Sequence, residues 1–151
     1  MPRAFLGVGS NLGDRHSNLA QALDSLKKIK GISVIHASSV RETAPVGGPP
    51  QGKYLNAVWE IQTDLTARHL LNALLELEVG MGRTRSVPNA PRTLDLDILF
   101  YDREIVREPG LEIPHPRLHE RAFVLGPLSE LAPDFVHPVL KKTVTEILRC
   151  L

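Results

Sequence analysis

Apolar positions along this chain recur with two different periods, and the switches between them mark its elements. Ala4-Phe5-Leu6-Gly7-Val8 is a short apolar run ending at Gly9, the pattern of a buried first strand. Ser10-Asn11-Leu12-Gly13-Asp14 follows as a turn cluster of cap-forming residues. Leu19, Ala22, Leu23, Leu26 and Ile29 then recur at helical spacing, which predicts a helix from about Asp14 to Lys30, stopped by Gly31. Ile32 to Val40 is rich in β-branched and small residues and reads as a second strand. Ala44 to Gly52 holds Pro45, Gly47, Gly48, Pro49, Pro50 and Gly52 and reads as a loop. Tyr54 to Ile61 alternates again, with Leu55, Ala57, Trp59 and Ile61 on one face and Tyr54, Asn56, Val58 and Glu60 on the other. Thr66 is placed to cap a helix carrying Leu70, Leu71, Leu74, Leu75 and Leu77, ended by Gly80 and Gly82. Gly82 to Pro91 is a second irregular stretch.

The sharpest alternation is Pro91-Arg92-Thr93-Leu94-Asp95-Leu96-Asp97-Ile98-Leu99-Phe100-Tyr101. As a strand it puts Asp95 and Asp97 on one face, with Cα atoms roughly 7 Å apart at ~3.3 Å rise per residue. Two carboxylates so placed repel, and a cation between them relieves the repulsion. Hard divalent ions such as Mg²⁺ take oxygen ligands, commonly one or two carboxylates plus substrate phosphates. The pattern alone equally allows a solvent-facing polar edge.

Glu104-Ile105-Val106 reads as a short strand, and Pro114 and Pro116 fix an extended segment. Helices are expected near Glu120–Leu131 and Thr143–Leu151. The order β-α-β-β-α-β with C-terminal additions predicts an α+β, ferredoxin-like fold: an antiparallel sheet with helices packed on it, in one domain over residues 1–151.

Composition narrows the function classes. The chain has 151 residues and 42% hydrophobic content, enough for a substantial core. A formal net charge of +1 argues against a strongly electrostatic nucleic-acid or membrane partner. Cys150 is the only cysteine, which excludes a disulfide within the chain and fits a reducing compartment. No secretory leader pattern and no run of ~20 apolar residues stands in the sequence. The expectation is a cytoplasmic monomer acting on small molecules, with no nucleic-acid or membrane partner.

Gly7-Val8-Gly9-Ser10-Asn11-Leu12-Gly13 has the spacing GxGxxxG rather than the GxGxxG of a dinucleotide site, and reads as a turn. No GxxxxGK[ST] is present, so nucleotide phosphates would not be cradled by a P-loop. Arg83, Arg85, Arg92, Arg117 and Arg121 fall in or beside loops near the aspartate strand. Guanidinium forks match phosphate oxygens and stay charged at any working pH. Paired carboxylates flanked by arginines suit phosphoryl transfer, which is mostly positioning and charge neutralisation. His115 and His119 have a helical zinc spacing, but Pro114 and Pro116 oppose a helix there, so His115 reads as a neutral donor to phosphate. Tyr54 and Asn56 share a strand face that is either a polar exterior or the reader of a heterocycle's edge. From pattern alone Trp59 and Phe123 are core residues.

Taken in order, these residues resemble the 6-hydroxymethyl-7,8-dihydropterin pyrophosphokinase family of folate biosynthesis. The matching pieces are Gly9-Ser10-Asn11-Leu12, Tyr54-Leu55-Asn56-Ala57 and Gly82-Arg83-Thr84-Arg85. They continue with Pro91 to Ile98, Pro114-His115, Arg121, Phe123 and the stretch Pro127-Leu128-Glu130-Leu131-Ala132-Pro133. The resemblance implies transfer of the β,γ-diphosphate of ATP to the hydroxymethyl group of the pterin, with release of AMP. It implies two Mg²⁺ ions on Asp95 and Asp97, with Arg83 and Arg92 closing over the triphosphate as catalytic groups. It places Glu78, Arg85, Arg92, Ile98, His115 and Arg121 at ATP. It places Thr43, Pro45, Val46, Tyr54, Asn56 and Phe123 at the pterin, with Phe123 stacking on the ring.

Two departures stand out. Many members carry an aromatic residue shortly before the Pro-Arg-Thr, where this chain has Val87-Pro88-Asn89-Ala90. Leu75 stands where some members have a glutamine near the adenine. Two rival classes follow from the same features. A metal-dependent nucleotidyltransferase would release pyrophosphate instead of AMP. An RNA-binding module would stack bases on sheet aromatics, but aromatic content is only 5%.

Overall fold

A computed structural model of the protein describes residues 1–44, 52–81 and 93–151. The first strand, β1 (Arg3–Ser10), leads into α1 (Arg15–Lys27), whose N-cap Asp14 accepts the Ser17 N–H. The β-branched run that reads as a single strand is two: β2 (Ile32–Ala37) and β3 (Arg41–Thr43). The break is at Ser38, whose hydroxyl takes the N–H of Val58 at 2.8 Å in place of a backbone carbonyl. β4 (Tyr54–Thr63) runs two residues beyond the alternation that announced it, and Thr66 caps α2 (Ala67–Gly80) as expected.

The aspartate strand, β5, spans Asp95–Tyr101. The next short strand lies slightly later than expected, as β6 (Val106–Glu108), because Asp102-Arg103 forms a turn closed by the Glu104 N–H on the Tyr101 carbonyl. It pairs with β7 (Leu111–Ile113), a strand too short to announce itself by periodicity. A 3₁₀ turn at Leu118–Glu120 precedes α3 (Ala122–Leu131), and α4 (Val144–Arg149) closes the chain behind a Thr143–Glu146 capping box.

The main sheet is antiparallel in the order β2-β4-β1-β5, with β3 also paired to β4. That is the ferredoxin-like order. Period-two alternation sorts β1 onto two cores. Ala4, Leu6 and Val8 join Leu19, Ala22 and Leu26 of α1 and Leu70 and Leu74 of α2. Phe5 turns the other way, to Val58, Leu99 and Phe100 beneath Leu125 and Leu128 of α3 and Val144 and Ile147 of α4. The face of β4 bearing Val58 and Glu60 is therefore buried and not a polar exterior. Glu60 is accommodated there by Arg3 and His36. The helices α3 and α4 cover only part of this second face, and the uncovered end is where the cavity lies. No helix among the described residues is long and apolar enough to cross a membrane.

Candidate active site

Three strands present one row of residues across the open end of the sheet. In the ladder, Asn56 of β4 lies opposite Gly9 of β1, and Gly9 lies opposite Asp95 of β5. One pleat further in, Val58, Gly7 and Asp97 form the next row. All of these side chains share a face because residues two apart along a strand point the same way. Gly7 and Gly9 thus belong to the first strand, as the apolar run indicated, and the turn of the Gly7–Gly13 stretch begins only after Ser10. Their i, i+2 spacing is the one sequence signal that marks a close approach to the sheet floor.

The missing side chains leave room. A Cβ on Gly9 would sit 3.0 Å from Asn56 Oδ1 and 3.3 Å from the Tyr54 ring, and one on Gly7 would press on Leu99 at 3.3 Å. With glycine at both positions the floor between Asn56 and the aspartates stays open. The resulting cavity encloses about 240 Å³ and is walled by Thr43, Tyr54, Asn56, Asp95, Asp97, His115, Arg121 and Phe123. These expected site residues come from β3, β4, β5, the segment after β7 and the start of α3, and the fold brings them together.

The amide of Asn56 is held in one orientation. Its Nδ2 donates a short hydrogen bond to the Thr43 hydroxyl, which leaves Oδ1 over Gly9 as the acceptor facing the cavity. Phe123 is half-buried at the first turn of α3 and not in the core, with the Arg121 guanidinium 5.5 Å from its ring centre. Trp59 is core, as its alternation indicated.

His115 reaches the cavity because its backbone N–H is bonded to the Leu99 carbonyl, which pins the Pro114–His115 segment to β5. Its Nε2 lies 4.0 Å from Asp97 Oδ1. Its Nδ1 accepts the N–H of Arg117, so the ring proton is assigned to Nε2, facing the cavity. Burial, reinforced by the Arg121 guanidinium, lowers its pKa to about 4, against an opposing pull from Asp95. His115 is therefore a neutral N–H donor near neutral pH.

Glu78 and Ile98 stand behind this wall. Ile98 points into the helix-side core. Glu78 continues the Leu70–Leu74 stripe of α2, is 1% exposed, and accepts the Leu96 N–H at 2.6 Å. Its carboxylate grips the strand between the two aspartates. Arg83, Arg85, Arg92, Pro45 and Val46, together with Val87 to Ala90, lie outside the described residues.

The donor set suits a hard cation. Asp95 and Asp97 offer carboxylate oxygens on one face, beside an open floor, and no third acidic, histidine or cysteine residue completes a closed cage among the described residues. Such a pair leaves the remaining positions around an ion to phosphate oxygens and water.

Known proteins match this chain over nearly all its length. The model of the family described as 7,8-dihydro-6-hydroxymethylpterin-pyrophosphokinase (HPPK) matches residues 5–133. The 2-amino-4-hydroxy-6-hydroxymethyldihydropteridine pyrophosphokinase of Bacillus subtilis is 44% identical over 128 residues, covering 85% of this chain and 77% of the relative. That of Methylorubrum extorquens is 43% identical over 136 residues, covering 90% and 86%. The folic acid synthesis protein fol1 of Schizosaccharomyces pombe is 41% identical over 96% of this chain, which spans 20% of that longer protein. A Plasmodium falciparum HPPK-DHPS crystal structure with pteroate superposes with a TM-score of 0.79 at 14% identity, over 99% of this chain and 42% of that one. That likeness speaks for the fold.

Proposed function

Since the chain belongs to the 7,8-dihydro-6-hydroxymethylpterin-pyrophosphokinase family and is a pyrophosphokinase of folate biosynthesis using ATP, we propose how its residues divide the reaction. ATP passes its β,γ-diphosphate to the hydroxymethyl oxygen of 6-hydroxymethyl-7,8-dihydropterin. The bond between the α-phosphate's bridging oxygen and the β-phosphorus breaks, and AMP leaves. The observation that carries this reading is the single row Asn56–Gly9–Asp95, an amide reader and a carboxylate across one glycine on adjacent strands.

On the Asn56 side the pterin lies on the glycine floor. Asn56 Oδ1 accepts from an N–H of the heterocycle, its orientation locked by Thr43. Tyr54 lines that pocket and Phe123 covers the ring by stacking. Pro45 and Val46 complete it on this proposal.

On the Asp95 side lie the phosphates. Asp95 and Asp97 would hold two Mg²⁺ ions, whose charge would neutralise the phosphates and favour attack at the β-phosphorus. Arg121 and the Nε2–H of His115 donate to phosphate oxygens. Arg83 and Arg92 stabilise charge at the β-phosphorus, Arg85 holds the nucleotide, and backbone at Ile98 meets the base. Glu78 serves ATP through the aspartate strand that it grips. His115 carries its proton on the cavity side and is not the base. Loose phosphoryl transfer needs little base assistance, so positioning supplies most of the rate.

A cytoplasmic monomer without a nucleic-acid partner completes the proposal. The net charge of +1 and the single cysteine support it. The test is incubation with Mg²⁺-ATP and 6-hydroxymethyl-7,8-dihydropterin, followed by chromatography. AMP is the expected product. Pyrophosphate in its place would establish nucleotidyl transfer and overturn the reading.

A further inference from the structure

We infer that Glu130 is a positioning residue that sets the width of the pterin side of the cleft, by tying β3 to α3. The inference rests on the pterin assignment above. It concerns a part of the Pro127–Pro133 stretch that none of the roles above has used.

One wall of the cleft is Thr43, at the end of β3. That strand has only three residues, and it sits at the margin of the sheet with Arg41, Glu42 and Thr43 opposite Asn56, Leu55 and Tyr54. So short a strand orders weakly by its ladder alone. Another wall is Phe123, on the first turn of α3. Something must hold the two walls at a fixed distance.

Glu130 is placed to do so. Its Oε1 accepts the backbone N–H of Ser39 at 3.0 Å, and its Oε2 accepts the Ser39 hydroxyl at 2.7 Å and Arg41 Nη2 at 2.5 Å. One carboxylate thus holds both the bend that enters β3 and the first residue of β3. An exposed ion pair alone would contribute little. Here the charge also takes a backbone N–H and a hydroxyl from a chain segment that has left the β2 ladder, and bonds to an ionised acceptor are stronger than neutral ones. These bonds, Ser39 first, hold the Glu130 carboxyl below its ordinary pKa, so it is charged at neutral pH.

The face of α3 is built for this contact. Phe123, Gly126 and Glu130 recur at the i, i+3, i+7 spacing that lines one side of a helix. The Arg41 guanidinium crosses that side at Gly126, where a Cβ would meet Nη1 at 2.5 Å. Arg41 therefore runs along the same stripe that carries Phe123 at its cleft end.

The glycine separates positioning from stability. Gly126→Ala must displace the flexible end of Arg41, yet alanine favours a helix over glycine. The experiment is steady-state kinetics with both substrates varied, plus thermal unfolding, on the full-length protein and on Gly126→Ala, Glu130→Ala and Glu130→Gln. The expected result is a KM for the pterin raised about three- to tenfold in Gly126→Ala and Glu130→Ala, with KM for ATP within about twofold of the parent. Glu130→Gln, which keeps an acceptor for Ser39, falls between them and the parent. Gly126→Ala shows this without a lower melting temperature, which a merely structural role would not produce. An unchanged pterin KM in Gly126→Ala and Glu130→Gln, beside a parent that releases AMP, overturns the role of Glu130 alone. No AMP from the parent overturns the functional reading beneath it.

Discussion

The carboxylate of Glu78 accepts the N–H of Leu96, the residue between the two aspartates, at 2.6 Å from within the helix-side core. A buried acid in an apolar stripe is costly unless its oxygens are bonded. Here the bond ties α2 to the centre of the strand that carries Asp95 and Asp97. Glu78→Ala is expected to cost about 1–3 kcal/mol, the penalty for a buried amide left without its acceptor. Turnover should fall roughly tenfold or more as Asp95 and Asp97 lose their placement. Glu78→Gln, which can still accept from Leu96, should lose less of both. Denaturant unfolding and kcat measured on the two variants check this; an alanine variant with parental stability and rate removes the tie.

Asp95 and Asp97 are proposed to hold the metal, and Asp97 is 40% exposed at its side chain. Replacing it by asparagine removes charge without changing volume, so the fold should survive. Turnover in Asp97→Asn should drop by roughly two to three orders of magnitude, the scale of losing one preorganised charge at the reacting group. Mn²⁺ titration followed by electron paramagnetic resonance should show weaker binding in the variant with nucleotide present. Near-parental turnover would end the metal assignment.

The glycine floor yields a contrast between two neighbouring positions. A Cβ at Gly9 meets Asn56 Oδ1 at 3.0 Å, whereas one at Gly7 meets the Leu99 side chain at 3.3 Å. Gly9→Ala should therefore weaken pterin affinity by roughly tenfold, since it crowds the acceptor proposed to read the ring. Gly7→Ala should be milder, because leucine can shift. Equilibrium binding of the pterin to both variants, with nucleotide affinity measured alongside, tests the ordering. Equal loss of pterin and nucleotide affinity in Gly9→Ala would show that the residue does not divide the cavity.

His137 predicts acid sensitivity. Its Nδ1 accepts the N–H groups of Val139 and Leu140, and its ring packs on Phe100. Protonating Nδ1 would break both bonds. Burial, with the nearby His119 adding to it, lowers the pKa from the ordinary 6.5. The unfolded chain therefore binds a proton at a pH where the folded one does not. This contribution to stability is complete above pH 6.5 and is lost as the pH falls from there toward the lowered value. Urea unfolding between roughly pH 7.5 and 5, the window of histidine titration, should show a shallower decline in His137→Asn than in the parent. Parallel declines would mean that His137 does not contribute.

Much of the fold was legible because period alone decides it. The apolar stripe of α1, the cap at Thr66, and the alternation of β4 and β5 appear where the pattern put them, within a few residues at the ends. Elements without a period of their own were not legible. β3 and β7 are three residues each, and β3 separates from β2 beside Ser38, whose hydroxyl takes the Val58 N–H. That Gly7 and Gly9 form the floor of a cavity was not legible, because nothing local shows that β4 and β5 flank them.

Local alternation determined that Asp95 and Asp97 share a face, since residues two apart on a strand must, and that Tyr54 and Asn56 do likewise. It could not say that these are the same face of one sheet, with Gly9 between Asn56 and Asp95. Register between strands decided that, and register is a long-range choice made by burial of the opposite, apolar sides. Tertiary packing likewise decided that Glu78 stands behind the aspartates and that His115 beside them is held neutral. It placed Phe123, an apolar residue by pattern, in the cavity wall because α3 begins where the sheet is left uncovered.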